Sequence, residues 1–132
     1  MLSGGEYTAV LCKGERTYTS TLRGVKPLVR WLEDKTDFSG YVAADKVVGK
    51  ATAFLYLLLN IKAVYAQVIS KSALQLLKQY GIKFEYDQLA ENIINRQGTG
   101  ICPFEERVLN LTDRDDAYRA IREKMDEMNI TL

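Results

Sequence analysis

Residues 51–59 read Ala-Thr-Ala-Phe-Leu-Tyr-Leu-Leu-Leu, a run apolar around nearly the whole circumference of a helix. A surface helix keeps a polar face toward water, so one that lacks such a face must be covered on both sides. The run is about half of the roughly 20 residues that a membrane span requires. It predicts a central helix, or one whose second side packs on another subunit.

The rest of the chain supplies the covering elements. Residues 7–12 and 16–21 are β-prone and separated by Lys13-Gly14-Glu15, which predicts an antiparallel hairpin. Val25, Leu28, Val29 and Leu32 recur at helical spacing to about Lys35, with Pro27 in the first turn where its missing N–H is harmless. Residues 41–44 form a short strand that feeds the apolar helix, predicted over 45–60. A strand over 63–69 follows, then a helix capped by Ser70 and ended by Gly81, and a last strand over 82–86. Residues 89–100 read as a partly helical loop. Pro103 opens a short helix to about Leu109, and Thr112-Asp113-Arg114-Asp115 opens the final one, which carries Ala117, Ala120, Ile121 and Met125.

This order predicts an α/β domain: a mixed five-stranded sheet with an N-terminal antiparallel hairpin, parallel central strands and helices on both faces. At 132 residues the chain is the size of one domain spanning 1–132.

Composition narrows the function. Eighteen basic against seventeen acidic residues leave a net charge of +1, which argues against a nucleic-acid partner, since phosphate binding needs a concentrated basic face. There is no histidine, so a Ser-His-Asp triad, a Cys-His dyad, an HExxH zinc site and a His-x-Glu deaminase site are all excluded. Cys12 and Cys102, far apart and with no secretory leader ahead of them, are expected as free thiols in a cytoplasmic protein, with Cys12 in the core. No membrane attachment is expected.

Two segments put reactive side chains at predicted helix starts, where unpaired N–H groups and the helix dipole favour anions. In the first, Asp45 is read as a cap, and Lys46 and Lys50 project from one helix face, where they suit a carboxylate or phosphate. Gly49, costly inside a helix, points to a close approach there. In the second, Cys102 precedes Pro103 at an N-cap with Glu105 three residues on, a capping-box spacing with sulfur in place of oxygen. Asp45, Lys46 and Cys102 are the candidate catalytic residues, with Lys46 as acid, nucleophile or charge stabiliser, Asp45 orienting it or moving a proton, and Cys102 as a thiol nucleophile. Lys50, Ser70, Ser72, Arg96, Thr99 and Glu105 are the candidate ligand-binding residues. At each of these positions the plainer alternative is a helix cap, a core thiol or a solvated charge.

With Ala44-Asp45-Lys46-Val47-Val48-Gly49-Lys50 and Cys102-Pro103-Phe104-Glu105 in place, the chain resembles a bacterial domain-of-unknown-function family assigned to the cytidine deaminase-like fold. That resemblance implies a three-layer α/β/α scaffold and a pocket at the starts of the second and third helices. Zinc deaminases of that fold carry His-x-Glu or Cys-x-Glu and Pro-Cys-x-x-Cys there. Here those openings read Asp45-Lys46-Val47 and Ser70-Lys71-Ser72, so zinc-dependent deamination is not expected, nor is any metal or cofactor. The readings carried forward are a binding protein or metal-independent enzyme for a small polar, anionic or nucleotide-like molecule, and a non-catalytic interaction or homodimerisation module.

Overall fold

The computed structural model describes residues 9–20, 25–93 and 100–131. Five strands form one mixed sheet in the order β2-β1-β3-β4-β5: β1 (Ala9–Lys13), β2 (Arg16–Ser20), β3 (Val42–Val48), β4 (Ala63–Ser70) and β5 (Lys83–Ala90). The hairpin is as expected, with β1 antiparallel to β2 and Gly14 at φ 59° in its turn. β1 is also antiparallel to β3, whereas β3, β4 and β5 run parallel.

Among the described residues there are five helices: α1 (Lys26–Glu33), α2 (Lys50–Leu58), α3 (Lys71–Gln79), α4 (Pro103–Val108) and α5 (Arg114–Glu127). α2 is the predicted central helix. Ala51, Ala53, Phe54, Leu55, Tyr56 and Leu57 are all buried, and α2 packs on β3, α1, α3, α4 and α5. Burying its large side chains contributes about 1.5–3 kcal/mol each. Among the described residues no helix is long and apolar enough to cross a membrane.

Several boundaries differ from the sequence reading, each for a local reason. β3 extends through Asp45, Lys46, Val47 and Val48, because the β-branched pair favours extended backbone and a helix cannot start until Gly49. Gly49 is therefore the N-cap of α2, in extended backbone, and is not inside the helix. β5 runs to Ala90, so the first two residues of the expected partly helical loop, 89 and 90, are strand. Residues 91–93 continue without helix, and 94–99 lie outside the described residues.

The layering also differs. The connections from β2 to β3, β3 to β4 and β4 to β5 advance in one direction across the sheet, and the right-handed crossover general to parallel strands then puts α1, α2 and α3 on a single face. Trp31 of α1 meets Tyr18 edge-on at 6.3 Å, and Tyr56 of α2 reaches Asp45, both on the face that holds Leu11 and Ala43. α4 and α5 pack on α2 rather than on the opposite face. That opposite face carries Val42, Glu85 and Asp87, all exposed, together with Cys12, which is exposed rather than in the core. Cys12 and Cys102 are both free thiols.

Candidate functional site at the helix starts

Parallel strands all deliver their carboxyl ends to one rim, and the helices that follow them start there. β3 ends beside Gly49 and the start of α2, and β4 ends at Ser70, the N-cap of α3. Ser70 caps as predicted, its Oγ accepting from the Ala73 N–H at 3.2 Å.

Glu105 joins these two starts. It is 1% exposed, and its Oε2 accepts the Lys50 backbone N–H at 2.5 Å. Its Oε1 accepts the hydroxyls of Ser70 at 2.9 Å and Ser72 at 3.0 Å. A helix start attracts negative charge, and here one carboxylate from α4 occupies the first turn of α2 and the cap of α3 together. A Cβ on Gly49 would lie 2.4 Å from Glu105 Oε2 and 3.0 Å from Ile93 Cγ1. The close approach expected at Gly49 is thus made by a side chain of the protein itself.

Lys50, Ser70, Ser72 and Glu105 are therefore together. Lys50 differs from its prediction in one respect: it opens α2 while Lys46 lies within β3, so they are not neighbours on one helix face. Lys50 Nζ donates to the Leu109 carbonyl at 2.7 Å and lies 5.8 Å from the Phe54 ring centre. Partial burial lowers its pKa, and the nearby Glu105 charge opposes that shift.

Asp45 is elsewhere. It is 8% exposed within β3, beneath α2, and accepts the Tyr56 hydroxyl at 2.7 Å and the Val47 N–H at 3.3 Å. It shares no hydrogen-bond partner with Glu105 and caps no helix. Burial raises its pKa to about 6, against the lowering effect of the Tyr56 hydroxyl and of the Val47 and Lys46 backbone N–H groups. Burial and the facing Asp45 charge push the Tyr56 hydroxyl in the same direction, upward. Sequence reasoning counted Tyr56 only as apolar. The signal was its hydroxyl, which needs a partner once the helix around it is buried.

Cys102 is the N-cap residue of α4, as expected, yet its side chain caps nothing. The capping box does not form, because the Cys102 N–H donates to Ile93 O at 2.7 Å and Glu105 turns to the rim instead. The thiol is half-buried against the core. Arg96 and Thr99 lie outside the described residues. A groove between the start of α4 and α5 is lined by Gly100, Ile101, Pro103, Glu106, Arg107 and Lys124, none of them a predicted site residue. Among the described residues no three His, Cys, Asp or Glu side chains are grouped so as to hold a metal ion.

Comparison with known proteins agrees with this architecture. A crystal structure of a DUF1893 family protein (TM1506) from Thermotoga maritima superimposes with a TM-score of 0.85 at 31% sequence identity, covering 93% of this chain and 84% of that one. No curated protein matches. The family model for TM1506, a domain of unknown function (DUF1893), matches residues 1–125, and the chain belongs to that family.

Proposed function

We propose that this domain works by binding through its surface, as a protein interaction module, with no chemistry of its own at the rim. The observation that carries this reading is the filled anion seat. Glu105 already supplies the negative charge that the starts of α2 and α3 attract. Asp45 is engaged by Tyr56 beneath α2. Among the described residues every buried side-chain nitrogen and oxygen has at least one hydrogen-bond partner, so no oxygen of either carboxylate is left unpartnered. The resemblance to the cytidine deaminase-like fold fits this reading: the helix starts that bind zinc in deaminases would here hold residues that stabilise the domain.

A second reading keeps a small polar, anionic or nucleotide-like ligand at the rim, bound or turned over without metal. It is favoured by the partial exposure of Lys50, Ser72 and Cys102 around Glu105. A thermal-shift screen of nucleotides, nucleosides and small carboxylates separates the two. The interaction reading expects no shift. A ligand that raises the melting temperature by several degrees in the parent protein, but not in Lys50→Ala or Ser72→Ala, would overturn it.

A further inference from the structure

Among the described residues β5 has one sheet neighbour, β4, and its other side is a free edge over Lys83–Ala90. Natural edge strands are commonly blunted by proline, bulges or charged side chains, lysine above all. β5 has no proline or glycine, and its one lysine is its first residue. Its two faces differ. Glu85 and Asp87, both exposed, lie on the face of Tyr65, whose hydroxyl donates to Asp87 at 2.6 Å. Phe84 and Tyr86 lie on the other face with their rings stacked at 6.4 Å, Phe84 against the core and Tyr86 41% exposed.

We propose that this edge takes up an extended segment of a partner protein in which basic and apolar residues alternate. The proposal rests on the interaction reading above and names the partner's chemistry. A strand added to β5 continues the side-chain alternation, so its residues on one face meet Glu85 and Asp87 while those on the other meet Phe84 and Tyr86. A second copy of this chain fits poorly. In a two-fold antiparallel pairing of β5 with itself, the registers of longest overlap set Glu85 opposite Asp87, or Asp87 opposite its own copy, and like charges directly opposite destabilise. The pattern that repels a copy selects a basic strand.

The test uses the full chain with two labelled peptides of identical composition, acetyl-Lys-Val-Lys-Val-Lys-Val-amide and the block-ordered acetyl-Lys-Lys-Lys-Val-Val-Val-amide, read by fluorescence anisotropy and amide hydrogen exchange. The expected result is tighter binding of the alternating peptide, with new protection confined to alternate amides of β5. Glu85→Lys should weaken it about tenfold, and an alternating Glu-Val peptide should recover binding to that variant. Equal binding of both lysine peptides, protection away from β5, or no binding overturns the edge proposal, and with a negative metabolite screen leaves the broader interaction reading standing. Protection of β5 in a peptide-free dimer overturns it in favour of self-pairing.

Discussion

Asp45 and Glu105 are the two buried carboxylates among the described residues, and they are placed in opposite ways. Asp45 sits mid-strand beneath α2, where desolvation is the largest influence and raises its pKa to about 6. Glu105 sits at the rim, where a helix-start N–H and two serine hydroxyls converge on it. A carboxylate at a helix start is favoured by the backbone it caps, whereas one under a helix is held against the cost of burial. Burial alone therefore does not mark a reactive acid, and the rim carboxylate has the character of a built-in cap.

If that contrast holds, replacing Glu105 is the more damaging change. Glu105→Ala leaves the Lys50 N–H and two hydroxyls without their acceptor and should lower unfolding free energy by about 3–4 kcal/mol in urea titration, with Glu105→Gln costing less. A loss below about 1 kcal/mol would mean that α4 does not hold the rim together.

The reverse sign is expected at Asp45. Its folded pKa lies above the ordinary value of 3.8, so its contribution to stability is fully present below that value and is lost as pH rises through about 6. Asp45→Asn should accordingly stabilise the protein by up to about 3 kcal/mol at pH 8, with the gain shrinking to near zero by pH 4. Melting curves of both proteins across that range decide the matter, and a pH-independent difference would remove the contrast.

Gly49→Ala sharpens it further. The added methyl would press on Glu105 Oε2, not on strained backbone, since φ at Gly49 is −96°. A cost of about 2 kcal/mol is expected, falling well below 1 kcal/mol in a Glu105→Ala background. Additive costs would show that Glu105 is not what forbids a side chain there. The smallest effect belongs to Cys102→Ala, which removes no cap bond and should change stability by about 1 kcal/mol or less.

Much of the fold was legible in the chain because periodicity survives any tertiary context. The all-round apolar run had to be covered on both sides, the hairpin needed its glycine turn, and Ser70 stood where a helix needs a cap. The candidate site was legible only in part. Lys50, Ser70, Ser72 and Glu105 do gather, but the residues that bind them together are 33 to 55 positions apart in sequence. Asp45 was misplaced because a carboxylate ahead of an apolar helix looks like a cap, and the extra strand length through Val47 and Val48 depends on pairing with β4.

By itself the sequence determined the element types, the need to cover the apolar helix on both sides and the exclusion of histidine chemistry, since these follow from local periodicity and side-chain inventory. Tertiary structure alone decided which carboxylate reaches the helix starts and which is sealed beneath α2. Those outcomes depend on contacts between segments far apart in the chain, where neither spacing nor composition carries the information.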